Sequence, residues 1–249
     1  MRRYPSTALG ASFGPGPLTP AVKALLIANV AAFLGTWLWP ELIFYLGLQP
    51  QAVWEQWQWW QPATYMFLHA GVFHLVFNML VLWMFGVELE RLWGTRFFAK
   101  YYAVTGIGAG LTMIVAALLP FDFADRLYLT TTVGASGAIF GLLLAYGLYF
   151  PYRQIYMYFL FPVKAKYFVM IVGAISLFAT MADQGGGIAH AVHLGGLAVG
   201  YVYLKGGRTR FHPIAELRYH YLRWKINRLR KKFDVYSGGR ADDVDRRIH

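Results

Sequence analysis

No cysteine occurs among the 249 residues, so disulfide frameworks, thiolate metal sites and thiol catalysis are excluded. Charge is scarce as well. Asp, Glu, Lys and Arg make up 14% of the chain, against roughly 25% in an ordinary globular protein. So few charges cannot cover a soluble surface. What is abundant is apolar: the AVILMFWYC set reaches 57% and aromatic residues 18%. The chain therefore reads as an integral membrane protein. Its net charge of +11 is unevenly placed, because residues 205–249 hold thirteen Lys and Arg against five Asp and Glu. A basic tail beside a membrane body points to the cytoplasmic face and anionic lipid rather than to nucleic acid. The start, Met1-Arg2-Arg3-Tyr4-Pro5, does not read as a cleavable signal peptide, since a Pro/Gly/Ser-rich stretch runs on to Pro20.

Charge-free runs mark the candidate spans, because one charge at a helix centre costs roughly 2.5–3.5 kcal/mol on insertion scales. They cover residues 24–40, 56–87, 101–121, 127–152, 167–182 and 184–204. The second run holds an aromatic loop and then a helix from near Leu68. The fourth holds a loop entry, Thr130-Thr131-Thr132-Val133-Gly134, before a short helix, and the fifth is predicted to borrow the apolar residues before Lys164. The expected fold is thus all-α, a polytopic bundle of six transmembrane helices with both termini cytoplasmic. The chain divides into three parts: a flexible N-terminus at 1–20, the membrane domain at 21–204, and a basic cytoplasmic tail at 205–249. In that topology only Arg126 among the Lys and Arg residues lies outside, which satisfies the positive-inside rule. The expected location is a cell membrane, read as a prokaryotic plasma membrane. In the long external loop Trp54, Trp57, Trp59 and Trp60 suit an interfacial aromatic belt or a folded loop in the outer leaflet. In the tail, Leu222, Ile226, Leu229 and Phe233 recur at helical spacing among basic residues, the pattern of an amphipathic helix on the inner surface.

Polar groups that persist in a bilayer are candidates for function. Three clusters do so, all toward the outer leaflet. Gly134-Ala135-Ser136-Gly137 opens the fourth helix, where a serine between small residues has an open hydroxyl near free backbone N–H groups. Its plain reading is a helix cap. His193 opens the sixth helix, ahead of Gly196 and Gly200, while Gly137 and Gly141 form the matching G-x-x-x-G stripe on the fourth. Small residues at that spacing let backbones approach closely, and packing of these two stripes would bring Ser136 and His193 within reach. Third, His74 and Asn78 lie four apart, on one helix face, and could aim donors at an oxyanion or simply bond a neighbouring helix. A metal reading rests on His69, His74, His190 and His193. It is disfavoured, since no H-E-x-x-H occurs and Glu88, Glu90 and Asp183 fall at helix ends. The same shortage of acids favours a Ser–His dyad over a triad.

In this order the clusters resemble the rhomboid intramembrane serine proteases: His69, His74 and Asn78 as H-x₄-H-x₃-N; Gly134, Ser136, Gly137 and Gly141 as G-x-S-G-x-x-x-G; His193, Gly196 and Gly200 as H-x-x-G-x-x-x-G. Phe85-Gly86 through Glu90 to Gly94 is similar to that family's helix-two exit, and the likeness runs over residues 21–204. The resemblance implies proteolysis of single-pass membrane proteins, with Ser136 as nucleophile, His193 as general base and acid, and His74, Asn78 and the Ser136 backbone N–H holding the oxyanion. It implies no cofactor and no metal. Two residues depart from the family pattern. Gln61 follows Trp60 where a tryptophan-arginine pair is usual, and Phe140 stands where many members carry a tyrosine against the catalytic histidine. A catalytically silent rhomboid-like protein that binds membrane clients is the alternative. A transporter would need inverted repeats and paired ionisable residues, which are not seen.

Overall fold

The computed structural model describes residues 14–120, 124–157, 161–181 and 187–208, and Lys225. The apolar residues of the predicted amphipathic helix, Leu222, Ile226, Leu229 and Phe233, and the segment 1–13 lie outside the described residues. Two compact units divide the chain, Met1–Leu204 and Lys205–His249, and the first holds the candidate spans and the three polar clusters.

Helix α1 (Pro20–Leu38) starts on a proline, whose fixed φ suits the first helical position. Its cap residue Thr19 makes no side-chain cap bond, so the first free amides need another acceptor. They find Glu90, in α6 (Val87–Trp93), whose carboxylate takes the Ala21 and Val22 N–H groups at 2.9 Å each. The same side chain accepts from the Thr19 hydroxyl at 2.5 Å and the Thr95 hydroxyl at 2.7 Å, and it is 2% exposed. A negative group suits the positive end of a helix. Glu90 thereby joins the start of α1 to the start of α7 (Thr95–Ala117).

The loop after α1 is folded. It contains α2 (Leu42–Leu46), α3 (Pro50–Glu55) and α4 (Gln61–Thr64), then a tight turn at Tyr65–Phe67. Its tryptophans are exposed, so the loop's aromatic surface is turned away from the core. The second long helix runs from Val72 to Trp93 as α5 (Val72–Val81), a wider turn at Leu82–Gly86, and α6. Among the described residues three helices are long and apolar enough to cross a membrane: Pro20–Leu38, Val72–Trp93 and Thr95–Ala117. Shorter apolar helices come after them in α9 (Ser136–Tyr149) and α10 (Ala165–Met181), with α8 (Ala124–Leu129) before these two and α11 (Gly187–Arg208) last.

The described residues are mainly helical, with one exception to an all-α fold. Strands β1 (Gln154–Met157) and β2 (Phe161–Lys164) form an antiparallel hairpin, with Ile155 opposite Val163. The apolar residues before Lys164 thus do not lengthen the fifth helix, which begins at Ala165. Pro162 within that stretch lacks the N–H a helix would need, and a short apolar run carries no periodicity to tell strand from helix.

At the centre α7 packs on α9. The Tyr101 hydroxyl donates to the Gly141 carbonyl and the Tyr65 hydroxyl to the Gly106 carbonyl, both at 2.7 Å. Tyr65, Phe98 and Tyr101 are wholly buried around them. The first of these bonds ties α7 to α9, and the second ties the turn at Tyr65–Phe67 to α7.

Candidate active site

Ser136 is the first residue of α9. The cap position belongs to Ala135, and the helix has no side-chain cap bond, so the serine is not spent on capping. Among the described residues its hydroxyl has no hydrogen-bond partner. Just before it Gly134 adopts φ +133°, a conformation that L side chains rarely take. A Cβ there would lie 2.9 Å from Cε1 and 3.0 Å from Nε2 of His74, and 3.7 Å from the Ser136 Oγ. The missing side chain is what lets the His74 ring and the serine hydroxyl face one small space.

His74 lies in the first turn of α5. Its Nδ1 accepts the Ala70 N–H in a long bond of 3.4 Å, which assigns the ring proton to Nε2, the atom turned toward Gly134. Asn78, one turn on and 7% exposed, donates from Nδ2 to the His74 carbonyl at 2.8 Å. One of its two amide hydrogens is so used, leaving the other. His69 is buried edge-on against His74, with ring centroids 5.1 Å apart.

His193 sits on α11, and the two glycine stripes explain how it reaches α9. A Cβ on Gly196 would overlap the Gly137 carbonyl oxygen and lie 3.3 Å from the Gly137 Cα. One turn further a Cβ on Gly200 would lie 3.3 Å from the Gly141 Cα. The backbones are therefore in contact at both levels. Phe140, four residues after Ser136 and so on the same helix face, stacks on the His193 ring with centroids 4.1 Å apart and planes 8° from parallel. His193 Nδ1 is enclosed without a partner, and no hydrogen bond joins Ser136 to His193 among the described residues. Catalytic bonds are often long or unaligned before substrate binds. His190, one turn before, meets His193 edge-on at 5.4 Å. Among the described residues no group of three or more His, Asp and Glu is placed to hold a metal ion.

The serine, two histidines and asparagine thus come from three helices, with His74 and Ser136 meeting at Gly134, Asn78 bonded to the His74 carbonyl, and His193 stacked on Phe140. The Rhomboid domain model matches residues 56–208 of the chain, a stretch that contains all of them. The chain belongs to the rhomboid family.

Among its rhomboid relatives is Rhomboid protein 1, mitochondrial, of Saccharomyces cerevisiae, 33% identical over 187 residues, covering 73% of this chain and 51% of that protein. Rhomboid protease AarA of Providencia stuartii is 32% identical over 152 residues, 57% of this chain and 53% of its own. Rhomboid protease GluP of Bacillus subtilis is 28% identical over 166 residues, 65% of this chain and 28% of its own. The chain spans about half the length of the first two and less of the third. Bacterial and mitochondrial rhomboids both appear, so family membership specifies a membrane-embedded protein without specifying which membrane.

Two residues near the site were given no role there by sequence reasoning. Tyr65 accepts the Gly134 N–H at its carbonyl, 3.0 Å away. Gln61, noted only as a departure from the family pattern, is wholly buried. Neither has a motif of its own, and only an amide beside a proline in an apolar run would have drawn the eye to Gln61.

Proposed function

We propose that this rhomboid is an intramembrane serine endopeptidase acting on transmembrane segments of single-pass membrane proteins. The observation that carries the reading is the stack of His193 on Phe140, one turn from an unbonded Ser136 hydroxyl. Ser136 Oγ attacks the scissile carbonyl as His193 takes its proton, and the imidazolium then gives that proton to the leaving amine. Water, deprotonated by His193, attacks the acyl-enzyme; the acyl–oxygen bond breaks, the imidazolium returns the proton to Ser136 Oγ, and the second product leaves as a carboxylic acid. The tetrahedral oxyanion is held by the Ser136 backbone N–H, the His74 Nε2–H and the free Asn78 amide hydrogen. Each such donor is worth roughly 10²–10³ in rate. Neither metal nor cofactor enters these steps. A carbonyl inside an intact helix is hydrogen-bonded, so segments that unwind readily are the better substrates.

The reading includes six spans, α1, α5–α6, α7, α9, α10 and α11, with both termini cytoplasmic in a cell membrane of prokaryotic type. It also keeps the three-part division at residues 20 and 204, and a tail that lies on anionic lipid rather than nucleic acid. Support comes from the distribution of Lys and Arg.

The test is cleavage of a tagged single-pass substrate by purified protein in liposomes, with Ser136→Ala in parallel. Product from wild type alone is the expected result. If several substrates stay intact, a fluorophosphonate decides: no adduct at Ser136 moves the reading to a silent, client-binding rhomboid.

A further inference from the structure

Ser136 is reached through residues 131–135, which form no helix and no strand beyond a single bridge. Two segments of the external loop grip that stretch. Leu48 and Thr132 exchange backbone bonds of 2.9 and 2.8 Å, and the Gly134 N–H is taken by the Tyr65 carbonyl at 3.0 Å. One side chain joins the two grips. Gln61 is 0% exposed, and its Oε1 accepts the Gln49 N–H at 3.0 Å, next in sequence to Leu48. Its Nε2 donates to the Phe44 carbonyl at 3.3 Å and to Gln58 Oε1 at 2.8 Å. Gln61 itself opens α4, which runs directly into the turn that carries Tyr65. Gln49 adds a bond from its Nε2 to the Leu129 carbonyl, 2.8 Å, at the end of α8.

We infer that Gln61 is a positioning residue for the nucleophile: it locks the Leu48 and Tyr65 grips together and so holds the stretch that sets Gly134 against His74 and delivers Ser136. The inference rests on the reading of Ser136 as nucleophile. An amide suits the place because it both accepts and donates, whereas a carboxylate only accepts and a hydrocarbon does neither. A buried amide whose oxygen and nitrogen are both bonded holds its partners in place. A displacement of about 1 Å at a reacting group can cost about 10²-fold in rate.

The absence of native cysteine allows a single reporter thiol. Thr132→Cys suits it, since Thr132 is 9% exposed and its hydroxyl has no partner. Maleimide modification of that thiol, and fluorophosphonate labelling of Ser136 across pH, are compared in otherwise wild-type, Gln61→Leu and Gln61→Glu proteins, each corrected for folded fraction. Gln61→Leu is expected to bare the thiol and slow Ser136 labelling by roughly tenfold to 10²-fold. Gln61→Glu is expected to approach wild type only at pH values that protonate the new acid, because the neutral carboxyl regains a donor. A folded Gln61→Leu protein whose thiol stays as shielded as wild type overturns the inference. Labelling of Gln61→Glu that tracks wild type at every pH does so too, and this series decides alone where Gln61→Leu does not fold. Wild type that never labels at Ser136 instead sinks the protease reading, and the thiol still reports whether Gln61 holds the stretch.

Discussion

At the scale of single side chains, His193 takes its orientation from a flat ring contact with Phe140, since its enclosed Nδ1 meets no acceptor. A hydroxyl on that ring adds nothing to the stack. Phe140→Tyr should therefore keep kcat within about twofold of wild type, while Phe140→Ala, which frees the imidazole, should lower kcat roughly 10²-fold with KM little changed. Steady-state cleavage rates check both. Ser136→Ala and His193→Ala should each abolish cleavage in a protein that still inserts and folds. Asn78→Ala should only slow it, by about 10²-fold or less, because two oxyanion donors remain and the asparagine already spends one hydrogen on the His74 carbonyl. Wild-type rates for Ser136→Ala would end the proposed mechanism. The serine, histidine and glycine positions were legible at this scale because each motif is local. The stack was legible only through the family resemblance, which sets an aromatic ring at position 140 against the histidine, since no spacing in sequence relates Phe140 to His193.

Between elements, the decisive contact is backbone on backbone. Gly196 leaves no room for a Cβ above Gly137, so Gly196→Ala should push α11 away from α9 and carry His193 from Ser136. Overpacking of this kind costs about 1–3 kcal/mol, and activity should fall further than stability does. Gly173→Ala on α10 is the control: its Cβ would meet only Leu197 at an ordinary 3.4 Å. There the substitution should be neutral or raise the melting temperature slightly, because alanine loses less entropy in a helix. Equal loss of activity in both variants would remove the close approach as the explanation. The stripes of small residues were visible in sequence because their period matches the helix. The β1–β2 hairpin was hidden, because an aromatic and apolar stretch beside a span looks like more span until Pro162 and the strand pairing are seen.

For the whole molecule, Glu90 does what no sequence pattern announced. A buried acid near a membrane would be costly alone, yet four donors from Thr19, Ala21, Val22 and Thr95 surround it. Glu90→Ala would orphan two helix amides and should destabilise the fold by on the order of 3 kcal/mol, read as a lowered midpoint in thermal or denaturant unfolding. An unchanged midpoint would mean that water replaces the carboxylate. Reporter fusions at both termini test the proposed topology, with cytoplasmic signals expected at each.

What the sequence by itself determined is what local composition and periodicity encode: a membrane-embedded body, the order of its clusters, and a family likeness carried by residues a few positions apart. Those properties come from the cost of charge in lipid and from the helical repeat, neither of which needs a tertiary contact. Only the tertiary structure decided that Ser136 is free of a capping bond, how closely His193 lies on Phe140, that Glu90 caps a helix about seventy residues away in sequence, and that Gln61 is buried and bonded to Gln49, Phe44 and Gln58 within the loop after α1. Each of these depends on which surfaces meet. Close packing and the need to satisfy buried donors settle that question across the whole chain at once, and no window of the sequence contains it.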